Sequence, residues 1–233
     1  MSMNAPRYKE ALDWLVDLYQ DDVRKSSGCP AIGHPLGVMD LVMGVGGDED
    51  TCIAALFHDF GEDKGGEEML QEIERRFGAR VARIVRDCSD TLPNSYNVKE
   101  PWVDRKVEHI RHISHLDADS CIVLCADTLH NTRDHTRGFI KNGDNWWTNF
   151  RSNVYTDRER TTGIGVASTM WYLEQKSTAL AKRSDYLDSA PLKTIAEELE
   201  LGVFQLLLLC NKAYMSNIEE IYEYMYNTYG DIT

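Results

Sequence analysis

The sequence predicts an all-α protein. Three observations carry that expectation: apolar residues recur at helical spacing along most of the chain, no stretch alternates polar and apolar residues as a strand would, and Gly, Pro, Ser and Asn gather in segments between the periodic ones.

The elements follow in order. Ala11, Leu12, Leu15, Val16, Leu18 and Tyr19 share one helix face. The turn formers Ser26 to Pro30 then lead to His34-Pro35, where proline is suited to the first turn of a helix. Past Val45-Gly46-Gly47-Asp48, a short apolar helix carries Ile53, Leu56, Phe57 and Phe60. After Gly61 to Gly66, the spacing of Met69, Leu70, Ile73 and Phe77 predicts a helix from Glu67 to Phe77, and Gly78 stands where a C-cap belongs. Further helices are expected over Ala79–Cys88, Val103–His115, Ser120–Asn131 and Gly163–Ser177, with turn formers from Leu92 to Pro101. A loop from Arg137 to Thr161 holds Trp146, Trp147 and Phe150, and loops of that length often carry function. The texture changes after Lys182. Helices are expected over Pro191–Leu199 and Asn217–Tyr226, the second packing through Ile218, Ile221, Tyr222 and Met225 rather than presenting its alternating tyrosines. The expected division is a main domain over 1–182 and a small C-terminal helical appendage over 183–233.

Length and charge narrow the function. At 233 residues, one domain plus a small appendage is expected, since domains run about 100–200 residues. The balance of 25 basic against 38 acidic side chains, a net −13, disfavours nucleic acid in bulk, which is held by clustered Lys and Arg. A small anion remains compatible wherever a cation inverts the local field. No apolar run nears the ~20 residues that span a bilayer, and the first residues lack a signal-peptide pattern, so a cytoplasmic protein without a membrane partner is expected. The six cysteines contain no CxxC pair and read as free thiols, mostly buried. Cys121 and Cys125 lie one turn apart without the further ligands that zinc needs. His109, His112 and His115 meet only as neighbouring pairs on a helix, and are expected to face solvent.

Four residues are hard to explain as packing: His34 at a helix start, His58-Asp59 closing an apolar helix, and Asp127 within Cys121-Ile122-Val123-Leu124-Cys125-Ala126-Asp127. A carboxylate in so apolar a helix needs a partner. Singly, each is explained by a cap, an Arg bridge or a satisfied core histidine. Together they favour a divalent cation, for which two imidazoles and two carboxylates form a mixed N/O set suited to Mn, Fe or Zn. Glu62 and Asp63 follow His58 and Asp59 by four residues each. They are either solvated loop acids or, if the helix continues, carboxylates one turn from the metal pair that polarise water. Asn131 shares the face of Asp127, where it orients a ligand or ends the helix.

Several segments occur in family order: Arg24-Lys25-Ser26-Ser27-Gly28-Cys29-Pro30, His34-Pro35-Leu36-Gly37-Val38, Ala54 to Asp63 with its His58-Asp59-Phe60-Gly61-Glu62-Asp63, Phe77-Gly78, and Ala126-Asp127-Thr128-Leu129-His130-Asn131. Over about residues 8–175 the chain resembles the HD-domain hydrolases of the RelA/SpoT type, particularly the stand-alone small alarmone hydrolases. The resemblance implies an HD-domain helical bundle, a divalent metal, usually Mn²⁺, and hydrolytic removal of the 3′-pyrophosphate from (p)ppGpp or a close relative. It assigns His34, His58, Asp59 and Asp127 to the metal, and Glu62 and Asp63 to the attacking water. It places Arg24 and Lys25 against base and ribose, and Asn131 near the sugar–phosphate. Arg105 and Lys106 are candidates for the distal phosphates, or else a solvated helix face. The chain departs from the family at Ala31, where an aromatic is usual, at Thr128, where a basic residue is usual, and by one extra residue between Arg24 and His34. These departures fall where nucleotide would bind. The expected partner is a small nucleotide polyphosphate, with residues 183–233 the candidate surface for self-association or a protein partner. Two other readings stand beside this one. The first is an HD phosphohydrolase of nucleoside monophosphates, cyclic nucleotides or pyrophosphorylated tRNA ends. The second is a non-catalytic alarmone-binding or antitoxin-type regulator.

Overall fold

The computed structural model describes residues 5–24, 26–90, 101–150 and 162–233, with the side chains at 63, 149, 162–164, 211–222, 224 and 225 outside that description. In chain order the helices are α1 (Ala5–Tyr19), α2 (Gly33–Gly44), α3 (Glu49–Phe57), α4 (Phe60–Asp63), α5 (Gly66–Phe77), α6 (Ala79–Cys88), α7 (Trp102–His112), α8 (Ala118–Asn142), α9 (Thr162–Tyr186) and α10 (Ala190–Tyr229). Among the described residues, β pairing is limited to one isolated antiparallel bridge between Val23 and Pro30. No described helix is long and apolar enough to cross a membrane.

Two of the helices that carry the site, α3 and α8, are capped by side chains at their N-termini. Asp48 caps α3, its Oδ1 accepting from the Thr51 N–H at 3.0 Å, and Asp117 caps α8, accepting from the Ser120 N–H at 3.0 Å. Arg80 on α6 ties the two starts together, donating to Asp48 Oδ2 at 2.6 Å and to Asp119 Oδ2 at 2.7 Å. From there α3 runs through the middle of the core, with every residue from Thr51 to Phe57 buried. Trp14 of α1 packs edge-on to Phe57 and Phe60 at ring-centroid distances of 5.1 and 5.8 Å, while Arg76 lies over its ring. The buried stretch Cys121 to Ala126 of α8 packs against α2, α3 and α6. Five cysteines are buried, Cys29 is exposed and all are free thiols, as expected.

Several boundaries differ from the sequence reading. The helix expected to stop at Asn131 continues to Asn142 and passes into a 3₁₀ turn over Gly143–Asn149, so the first part of the expected long loop is helical. The extension is held by tertiary packing: Trp147 is fully buried, and Trp146 lies so close over Gly138 that a Cβ there would fall 2.2 Å from its ring. The two C-terminal helices are one, α10, because Gly202 does not end a helix but admits the approach of Leu129 of α8. Leu192, Ile195, Ala196, Leu199, Val203, Leu206 and Cys210 of α10 are buried, the helix packing on α8 and α9, while Leu201, Phe204 and Leu208 face outward. The expected helix to His115 ends at His112 and closes with a 3₁₀ turn over Ile113–His115. Residues 91–100 and 151–161, which held most of the expected turn from Leu92 to Pro101 and the rest of the long loop, lie outside the described residues, as do the side chains of Ile218, Ile221, Tyr222 and Met225.

Candidate metal centre and flanking cavities

Three helices deliver the candidate ligands. His34 sits in the first turn of α2, His58 and Asp59 occupy the break between α3 and α4, and Asp127 lies midway along α8. His34 Nε2 lies 3.2 Å from His58 Nε2, 3.2 Å from Asp127 Oδ1 and 3.5 Å from Asp59 Oδ2. His58 Nε2 lies 3.2 Å from Asp59 Oδ1 and 3.5 Å from Asp127 Oδ1. The ligand atoms of His34, His58 and Asp59 thus lie within 4.8 Å of one another, and Asp127 Oδ1 meets both imidazoles.

The chemistry of this set fits a divalent cation. His58 Nδ1 is 2.8 Å from the Ala55 carbonyl, which can only accept, so Nδ1 carries the hydrogen and Nε2 turns its lone pair inward. His34 Nδ1 lies 2.9 Å from His130 Nδ1, and the same inward lone pair on His34 makes His130 the acceptor. Burial and the neighbouring His34 lower the His130 imidazole to about 4, so it is neutral and able to accept. Two imidazole nitrogens and two carboxylates with lone pairs facing each other repel until a cation or shared protons intervene. Without a cation, protons serve. Burial works against charge on His34 and His58, yet Asp59 and Asp127 still raise both imidazoles, and both carboxyls are held below the usual range against their own burial.

Supporting side chains hold the carboxylates. Asn131 Nδ2 donates to Asp127 Oδ1 at 2.7 Å, and Arg24 Nη2 donates to Asn131 Oδ1 at 2.8 Å while pairing with Asp134 at 3.2 Å. The Lys176 ammonium on α9 stands 3.5 Å from Asp127 Oδ2. It is nearly inaccessible, and although burial works against its charge, Tyr172 and Asp127 raise its pKa.

The α3 helix does not run on through Gly61. It breaks at His58-Asp59, and α4 is a separate turn. Glu62 nevertheless lines the same cavity as Asp59 and Asp127, with its Oε1 accepting from the Asp90 N–H at 2.6 Å. Burial and the Asp90 charge lift its carboxyl to about 7. Arg105 and Lys106 form no solvated face: Arg105 Nη1 reaches both Asp90 oxygens at 2.7 Å, and Lys106 Nζ reaches Oδ2 at 2.6 Å. Lys106 also borders the cavity beside Glu62, whereas Arg105 lines neither cavity at the metal set. Lys25 and the Asp63 side chain lie outside the described residues.

Two cavities flank the ligands. One of about 920 Å³ opens beside His34 and His130 and is lined by Arg24, Ser27, Pro30 and Trp146. The other, about 200 Å³, lies beside Asp59, Asp127 and Glu62 and is bounded by Lys106, His109, Tyr172 and Lys176.

His109 corrects the sequence reading. It is 6% exposed rather than solvent-facing, while His112 and His115 are exposed as expected. Its place three residues after Lys106, on the same helix face, was the available signal. Tyr172 and Lys176 share a face of α9 in the same way, but a helix of mixed composition gives no sign that this face turns inward. His130 stands in the sequence only as part of the Ala126 to Asn131 motif, and its bond to His34 has no counterpart in spacing.

Known proteins resemble this chain in sequence and in fold. A guanosine-3′,5′-bis(diphosphate) 3′-pyrophosphohydrolase of Mus musculus is 31% identical over 180 residues, covering 75% of this chain and 93% of the relative. Its Homo sapiens counterpart is 30% identical over 188 residues, covering 78% and 97%. A solved structure described as a metazoan ortholog of SpoT that hydrolyzes ppGpp superposes with a TM-score of 0.60 over 90% of this chain and 98% of its own, at 18% identity, and shares the fold. The HD domain profile matches residues 11–145, the span that contains all four candidate ligands, and the chain belongs to the HD-domain family.

Proposed function

We propose that the protein is a metal-dependent phosphohydrolase that removes the 3′-pyrophosphate of guanosine 3′,5′-bis(diphosphate) or a closely related nucleotide. One observation carries the reading: His34 lines a cavity of about 920 Å³, with room for a nucleoside, and Asp59 and Asp127 line a much smaller one of about 200 Å³, suited to a phosphate group. A nucleotide spanning both places its 3′ phosphorus at the ligands. The names of the relatives support the same substrate.

His34, His58, Asp59 and Asp127 would hold the cation, for which Mn²⁺ is our proposal. A divalent cation supplies charge for the phosphoryl oxygens and lowers the pKa of water. The chain's residues do the rest. Glu62, with a carboxyl near 7, takes a proton from the attacking water at neutral pH, and Asp63 is assigned beside it. Water adds to the phosphorus nearest the sugar, the bond to the 3′ oxygen breaks, and that oxygen gains a proton, giving a 3′-hydroxyl and pyrophosphate. Arg24, held by Asn131 and Asp134, borders the nucleoside side, where Lys25 is assigned with it. Asn131 orients Asp127. Lys106 faces the distal phosphate, and Arg105 acts on it through the shared Asp90.

Thr128 bonds its own helix at Leu124 O, 2.6 Å away, and borders the small cavity rather than the nucleoside side, so it does not select the base and the adenine analogue belongs in the substrate panel. Purified protein with Mn²⁺ is to be incubated with the guanosine and adenosine 3′,5′-bis(diphosphates), with Asp59→Ala and Asp127→Ala as controls. Turnover that needs Mn²⁺ and both aspartates is expected; none on any nucleotide sinks the proposal.

A further inference from the structure

The small cavity contains groups that neither the metal set nor the attacking water employs. Its volume of about 200 Å³ is small beside the neighbouring cavity of about 920 Å³ and gives room for a small anion. His109 borders it, and among the described residues neither of its ring nitrogens has a hydrogen-bond partner. Such a buried polar group is costly to leave unpaired and is satisfied when a ligand enters. Burial beside Lys176 and Lys106 keeps this imidazole neutral, so one nitrogen is an N–H donor. Lys176 is 3% exposed, and its contact to Asp127, at 3.5 Å, lies at the limit of a hydrogen bond. Both lysines approach Tyr172, with Nζ 4.8 Å from its ring centre for Lys106 and 5.7 Å for Lys176. Once a divalent cation engages Asp59 and Asp127, Lys176 loses the charge of its carboxylate neighbour and, beside Lys106 of the Asp90 cluster, turns positive charge toward the cavity, which then suits an anion.

We infer that Lys176 and His109 form the floor of a subsite for the terminal phosphate of the 3′-diphosphate, and that this subsite selects a 3′-diphosphate over a 3′-monophosphate. The inference rests on the hydrolase reading above and deepens it. The competing role is that Lys176 merely neutralises Asp127, which would alter metal affinity and affect every substrate equally.

The test uses the full chain loaded with Mn²⁺ and two independent variants, Lys176→Met and His109→Phe, with Lys182→Met on the outer part of α9 as control. Binding of inorganic pyrophosphate and of orthophosphate is measured by calorimetry. In parallel, kcat/KM is compared for guanosine 3′,5′-bis(diphosphate) and for the 5′-diphosphate 3′-monophosphate. Each variant is expected to weaken pyrophosphate binding about tenfold or more, the loss of a hydrogen bond to a charged group, with orthophosphate binding changed less than twofold. The ratio of the two kcat/KM values falls by the same factor, and Lys182→Met matches wild type. Pyrophosphate binding and the ratio both within twofold of wild type in whichever variants fold would overturn the subsite, as would equal losses on both nucleotides. If wild type turns over neither nucleotide, the hydrolase reading fails, and the pyrophosphate titration still decides the subsite.

Discussion

Gly37→Ala isolates the support beneath one metal ligand. Gly37 lies within α2, where replacing Gly by Ala ordinarily stabilises a helix by about 1 kcal/mol. Here an added Cβ would fall 2.4 Å from both Cδ2 and Nε2 of the His130 ring, so the ring must swing away. The movement breaks its 2.9 Å contact with His34 Nδ1 and leaves a donor on a buried ligand unpaired. An unpaired buried donor costs about 1–3 kcal/mol, and loss of an outer partner of a metal-bound histidine lowers metal affinity about 10–100-fold. The variant should therefore bind Mn²⁺ at least about tenfold more weakly by calorimetry, while its unfolding midpoint without metal moves little, since helix propensity offsets part of the repacking. His130→Leu should show the same loss of affinity, and His130→Asn, which keeps an acceptor, should recover most of it. Unchanged Mn²⁺ affinity in both Gly37→Ala and His130→Leu would refute the assignment of His130 as the partner that orients His34.

Three further outcomes follow. Asp90→Asn leaves Arg105 and Lys106 without their shared, almost fully buried counter-charge and should destabilise the fold by about 3–5 kcal/mol in urea unfolding. His135, buried under Trp147 and accepting from Trp146 Nε1 at 3.3 Å, has its pKa lowered by burial to about 4. Its contribution is therefore complete above the unfolded value near 6.5 and is lost as pH falls towards 4, up to about 3 kcal/mol, and unfolding free energies across that window should lose about one proton of pH dependence in His135→Gln. Glu62→Gln should lower kcat by about a hundredfold or more with KM little changed, because the base is removed while the phosphate contacts remain; an equal loss in kcat/KM arising from KM alone would assign Glu62 to binding.

Much of this structure was legible from residue types. The metal set could be found because its members break local rules: Asp127 interrupts a run of apolar residues, and His58-Asp59 ends a helix that is otherwise buried. The helices could be found wherever one face is apolar and the other polar, as in α5 and α6. Their ends were less legible, since α8 continues past Asn131 only because Gly138 receives Trp146 from the following turn, a contact made in space. The small cavity was the least legible part. Lys106, His109, Tyr172 and Lys176 have the composition of an exposed helix face, and only the packing of α7 and α9 against the metal helices encloses them. The pairing of Arg105 and Lys106 with Asp90 was hidden for the same reason, since it is made between separate elements.

The central claim is hydrolysis at the 3′ phosphorus next to the sugar, and turnover in ¹⁸O-water tests it most directly. With Mn²⁺ and guanosine 3′,5′-bis(diphosphate), the account predicts one ¹⁸O in the released pyrophosphate, unlabelled guanosine 5′-diphosphate, and no reaction in Asp59→Ala. Label in the nucleoside product, release of orthophosphate instead of pyrophosphate, or turnover that survives the loss of Asp59 would contradict it.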